Sequence, residues 1–218
     1  MKEYDFKYLR SLIAEASKKR AVFSFSMPDE TDAEISYLPS KLRLYWPGNI
    51  DCLHFRYEAE KYNAYERSKL RKNTRNYHRI VRKNGRILRI DSYVEGILNI
   101  INLMHYEDNR RYSFSYNPVA PRVPAATVVV TYQNGHIVES YTVNHDWQII
   151  HRTYSANNDG TIQYSYINYL PSGNPSVSGT EEGFFTLGEK LSYTQTDAWA
   201  WYMEEKTYSA QSSIIPSP

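Results

Sequence analysis

Residues 61–89 carry eleven Lys or Arg and a single acid, Glu66. Within that run Arg71, Lys72, Arg75, Arg79, Arg82, Lys83, Arg86 and Arg89 follow one another closely, and Tyr77 and His78 are interleaved. Clustered cations neutralise phosphates and aromatic rings stack on bases, so this is one footprint of a nucleic-acid groove. The same residues also suit a solvated edge strand, where cations discourage the addition of a foreign strand. A third reading is docking, either on a protein partner or on the acidic C-terminal part of the chain itself. The expected binding set is Arg71, Lys72, Arg75, Tyr77, Arg79, Arg82, Lys83, Arg86 and Arg89. A protein partner is the leading expectation for it, and nucleic acid on segment 67–89 the alternative.

No other group of residues has the spacing of a reaction centre. His145, Asp146 and His151 fall on a turn and the strand after it, without a known metal-ligand spacing, and read as surface histidines. Glu107-Asp108 and Glu181-Glu182 are adjacent acids in loops rather than facing carboxylates held at a working distance. Cys52 has no His or Lys beside it in a nucleophile signature and reads as a core residue. Ile162, Tyr164 and Tyr166 line one face of a strand, as sheet packing does. Glycine-rich phosphate loops are absent from the sequence. The chain is therefore expected to be no enzyme, to need no cofactor and to hold no metal.

The overall charge of +2 conceals an asymmetry: residues 1–60 balance to −1, residues 61–89 to +10 and residues 90–218 to −7. Aromatic content is 15%, and 21 of the 218 residues are Tyr. Tyrosine favours strands and surfaces with one apolar and one wet side, which points to sheets only half covered. A single cysteine excludes an intramolecular disulfide and a multi-cysteine metal site. The N-terminus has no apolar run of the signal-peptide kind, and no stretch approaches the roughly 18 apolar residues of a membrane span. A soluble, cytoplasmic chain without membrane contact is the expectation; oligomeric state stays open.

Helical spacing of Phe6, Leu9, Leu12, Ile13 and Ala16 predicts a helix over 3–20, with Lys18, Lys19 and Arg20 at the end that suits cations. Val22–Ser26 reads as a short strand, and Lys41–Trp46 and Cys52–Tyr57 as two strands around Pro47-Gly48-Asn49. Glu58–Asn76 has a thin apolar stripe and reads as a frayed helix followed by a loop.

From Tyr77 the pattern is a succession of hairpins. Asn84-Gly85 separates Tyr77–Lys83 from Arg86–Tyr93, and Asn134-Gly135 separates Ala126–Gln133 from His136–Asn144; both dipeptides supply the φ > 0 pair of a type I′ turn. Asn157-Asn158-Asp159-Gly160 and Glu107-Asp108-Asn109 are further turns. Pro118, Pro121 and Pro124 mark a linker between two hairpin groups. Regular pairing from the tight turns sets Tyr132 against Ile137, Val130 against Glu139 and Val128 against Tyr141. In the first hairpin it sets Val81 against Leu88, Arg79 against Ile90, Arg82 against Ile87 and Ile80 against Arg89. Neither face of that first hairpin is then clean, which fits a sheet edge or a single-layer meander. Pro171–Gly183 reads as a loop, Phe184–Leu187 and Lys190–Thr194 as strands, Ala198–Lys206 as a short helix and 209–218 as a disordered tail.

Two of these segments, Lys83-Asn84-Gly85-Arg86-Ile87-Leu88-Arg89 and Arg152-Thr153-Tyr154 with Asp159-Gly160-Thr161, together with Phe185–Leu191 running into Ala198–Met203, carry a resemblance. Over residues 77–205 the chain resembles the extended β-meander add-on domain of bacterial accessory glycosyltransferases that modify serine-rich adhesins. In that family the meander binds the acceptor polypeptide or the partner subunit, and two nucleotide-sugar domains do the chemistry. Without a glycine-rich Rossmann start, none of the family's catalytic residues has a position here, so the resemblance implies binding alone. The expected fold is mainly β (α+β): an antiparallel hairpin meander with an N-terminal helix and a short C-terminal helix. The expected divisions are 1–60 (helix and short strands), 61–76 (basic connection), 77–208 (meander with its helix) and 209–218 (tail). The expected function is a non-catalytic module recognising a polypeptide through an exposed sheet surface.

Overall fold

The structure is a computed structural model that describes residues 6–39, 47–50, 52–62, 64–122, 124–144, 149–172, 174–204 and 207–211. Its centre is one antiparallel meander of twelve strands in which each strand pairs with its neighbours in sequence. These are β1 (Glu34–Pro39), β2 (Tyr77–Lys83), β3 (Arg86–Val94), β4 (Ile97–Glu107), β5 (Arg110–Tyr116), β6 (Ala126–Gln133), β7 (His136–Asn144), β8 (Ile149–Ala156), β9 (Thr161–Ser172), β10 (Asn174–Thr186), β11 (Ser192–Glu204) and β12 (Thr207–Gln211). Helix α1 (Phe6–Val22) lies on one face and helix α2 (Leu53–Lys61) on the other. The alternation of β6 shows the two layers. Val129 joins Leu12 and Ala16 of α1 in one core, while Val128 and Val130 join Cys52 in another.

The Asn-Gly turns are where the sequence places them, with Asn84 and Asn134 at φ 53° and 51°. The pairing beyond them is not regular. Leu88 is skipped between the pairs Arg82–Ile87 and Val81–Arg89, and Val138 between Tyr132–Ile137 and Thr131–Glu139. A third hairpin, turning at Glu95-Gly96, skips Asn99 in the same way. In all three the bulge falls three residues after the turn glycine. Its effect on β2–β3 is decisive. Ile80 now faces Ile90, both fully buried, and Arg79 faces Asp91. The bulge replaces the two mixed pairs of a regular register, Arg79 with Ile90 and Ile80 with Arg89, by one apolar and one charged pair. Consistent with this, β2 is not the sheet edge; β1 lies outside it.

Several expected elements differ. Val22 ends α1, and 23–30 form no strand; Phe23 and Phe25 instead pack on Phe114 and Tyr116 of the sheet. Cys52–Tyr57 is the start of α2, whose Leu53 and Tyr57 face one core and Phe55 and Ala59 the other, an i, i+4 pattern that short alternation concealed. Pro47–Asn49 is a 3-10 turn, and 41–46 lie outside the described residues. Of Glu58–Asn76 the helix keeps only 58–61. The proline segment after Tyr116 is a loop inside one sheet, since β5 pairs directly with β6. Pro171–Gly183 is mostly β9 and β10, and Ala198–Glu204 belongs to β11 rather than to a helix. There the alternation Ala198-Trp199-Ala200-Trp201 has the period of a strand, and β propensity of the aromatics wins over the helical reading. Residues 209–211 belong to β12, and 212–218 lie outside the described residues. No described helix is long and apolar enough to cross a membrane.

Candidate functional site

The basic run divides into two parts with different fates. On the hairpin its cations are internally paired. Arg79 binds Glu30 and, at 3.3 Å, Asp91; Arg89 holds the same two acids at 3.1 and 2.5 Å. Arg82 forks onto Glu66 with two bonds of 2.6 Å and also reaches Ser36, and Lys83 meets Asp29 at 3.4 Å. Arg86 lies over the ring of Tyr106, and Tyr77 stacks on Tyr93 with centroids 4.5 Å apart. The acids that neutralise this stretch thus come from the 29–30 turn, Glu66 and Asp91, not from the remote C-terminal strands. Hydrogen bonding from Arg79 holds the Glu30 carboxyl below its usual range, while burial pushes Asp91 up against the pull of its two guanidiniums.

The part before the hairpin is held differently. Three anchors fix segment 64–76 along the edge of the sheet. The Ala64 amide donates to Ala59 of α2; Tyr37 and Arg67 exchange main-chain hydrogen bonds at 2.8 and 2.9 Å; and the Gly96 amide donates to the Arg75 carbonyl while the Asn76 side chain clasps Glu95. Between the last two anchors the chain reverses at a turn closed by the Thr74 amide and the Arg71 carbonyl, with Asn73 at φ 70°. This forms a groove of about 300 Å³ lined by Tyr37, Pro39, Ala64, Arg67, Lys69, Leu70, Arg71, Thr74, Arg75 and Asn76.

Four cations line this groove, and among the described residues no acid does. Arg67, Lys69 and Arg71 have no carboxylate partner among the described residues. Arg75 approaches Glu95 at 3.7 Å, but both side chains are more than half exposed, so water screens that pair to little. A second hollow across the Tyr37–Arg67 bridge contains the matched pair Glu66–Arg82 and is electrically balanced.

Of the expected binding set, Arg71 and Arg75 line the groove and Lys72 is exposed on its turn. Tyr77, Arg79, Arg82, Lys83, Arg86 and Arg89 are engaged within the fold. Arg67 and Lys69 were missed. Their signal is modest: with Arg71 they occupy every second position, the period of an extended chain.

The remaining candidates that the structure describes are held by contacts within the fold. His151 is buried against Glu139 at 2.7 Å, and Tyr8 donates to the same carboxylate. Positions 145–148 lie outside the described residues. Glu107 meets Lys19 and His105, and Glu181, on β10, accepts from Tyr193 at 2.5 Å. Cys52 is buried, with Sγ 3.7 Å from Asn49 Oδ1. Tyr164 packs edge-on against Phe185 and stacks on His54. Among the described residues no three His, Cys, Asp or Glu gather as metal ligands. The chain matches no protein-family profile, no curated protein and no solved structure.

Proposed function

We propose that this chain is a non-catalytic binding module that recognises an acidic segment of a polypeptide partner. The observation that carries the reading is the groove of Arg67, Lys69, Arg71 and Arg75, which among the described residues gathers cations without acids at the sheet edge. The open sheet surface expected from the sequence is less suitable, because α1 and α2 cover the central strands on both faces. Nucleic acid is the weaker alternative. A strand of phosphates needs a long cationic track, and pairing of Arg79, Arg82, Lys83 and Arg89 with their own acids shortens this one. Binding of a polypeptide is also the role implied by the resemblance to glycosyltransferase add-on meanders.

The test is affinity purification of the chain and of a variant carrying R67Q, K69Q, R71Q and R75Q from the same host extract. A partner retained by the first and lost by the second, and then reconstituted from purified components on a sizing column, is the expected result. Equal capture by both proteins would place recognition elsewhere.

A further inference from the structure

Resting on that polypeptide-binding reading, we infer that the groove takes a phosphate monoester on the partner, a phosphorylated side chain, in preference to the carboxylates of Asp and Glu that it also accepts. Two observations point there. The groove, at about 300 Å³, suits one side-chain head rather than a stretch of chain. Its lining residues include Arg67, Lys69, Arg71, Arg75 and Thr74, and among the described residues no Asp or Glu.

Charge and geometry then choose the ligand. A carboxylate carries one charge and would leave most of the cations facing one another. A phosphomonoester carries about −1.5 to −2 and three strong acceptor oxygens. Guanidinium forks match phosphate oxygens in parallel pairs, which a point charge does not. The contrast within the same run is informative. Along the hairpin, Arg79, Arg82, Lys83 and Arg89 each have an acid, whereas Arg67, Lys69 and Arg71 have none among the described residues.

The experiment uses the full chain and three fluorescein-labelled Gly/Ser peptides that differ at one position: phosphoserine, Glu or Ser. Anisotropy at low salt is expected to show the phosphoserine peptide binding about tenfold tighter than the Glu peptide, the return of added charge-assisted hydrogen bonds. Inorganic phosphate should displace it, and K69Q/R71Q should erase the preference while leaving the thermal melting curve unchanged. Equal affinity for the phosphoserine and Glu peptides would overturn the phosphate inference and leave the polypeptide reading standing. A phosphoserine preference that survives K69Q/R71Q would also overturn it. Tighter binding of a short single-stranded oligonucleotide than of any peptide would overturn both.

Discussion

The Tyr37 amide donates to the Arg67 carbonyl at 2.8 Å and the Arg67 amide returns a bond to Tyr37 at 2.9 Å, so the edge strand β1 is capped midway along its length. Unpaired edges template further strands, and a single bridged residue both blunts this edge and aligns the Arg67 side chain with the groove. The bridge depends on a main-chain N–H. R67Q is expected to keep slow hydrogen exchange at the Tyr37 amide, and R67P, which loses the donor and restrains the backbone, to accelerate it.

Asp91 holds Arg79 and Arg89 together with its side chain only 1% exposed. Removing one member of a buried charge cluster leaves the others uncompensated, at a cost of about 3–5 kcal/mol. D91A should therefore lower the urea midpoint sharply. R71A, at an exposed groove residue, should change stability by no more than about 0.5 kcal/mol. Together these separate the structural half of the basic run from its binding half.

The turns were legible in the sequence because Asn-Gly has a specific backbone requirement, and so was the α1 stripe. The bulges were not. Leu88 and Val138 are ordinary strand residues; skipping Leu88 brings Ile80 against Ile90 and Arg79 against Asp91, pairings that only the long-range register reveals. The long strands β9 to β11 were partly hidden by Ser, Gly and Pro, residues that punctuate chains locally but here sit in a sheet closed by neighbours on both sides. The basic run was visible at once. Its division into paired and unpaired cations was not, because Asp29 and Glu30 reach Arg79, Lys83 and Arg89 only after the loop past α1 crosses to the sheet.

His78 gives the fold a predicted acid sensitivity. It is 4% exposed, its Nδ1 lies 2.8 Å from Ser92 Oγ, and its Nε2 has no partner among the described residues. Burial lowers its pKa from 6.5 to about 4. The unfolded chain therefore takes up a proton as pH falls through 6.5, while the folded chain resists until about 4. The contribution is complete above pH 6.5 and lost progressively down to about 4, amounting to about 3 kcal/mol. His54, lowered first by burial and then by Arg152, acts in the same direction. Urea unfolding at pH 7.5 and 4.5 should show the loss, and H78L should reduce the difference.

Gly48 seats the 3-10 turn on the sheet. A Cβ there would fall 2.7 Å from Ser113 Oγ and 2.9 Å from Val128 Cβ, and its carbonyl accepts from Arg111 at 2.6 Å. G48A should lower stability by about 1–3 kcal/mol through overpacking. G85A is a different case: it meets open space at φ 74° and strains only the hairpin turn. Thermal melts of the two variants, followed at the near-ultraviolet tyrosine signal, check the difference.

The central claim, that the groove at the sheet edge binds an acidic polypeptide, is tested most directly by titrating one labelled Glu/Gly peptide against two proteins at low salt. These are the native chain and the R67Q/K69Q/R71Q/R75Q variant, compared after their melting curves have been shown to agree. The account predicts at least about a tenfold loss of affinity in the variant, since each deleted charge-assisted hydrogen bond is worth on the order of 1.5 kcal/mol or more. Unchanged affinity in the variant, or no binding by the native chain, would contradict it.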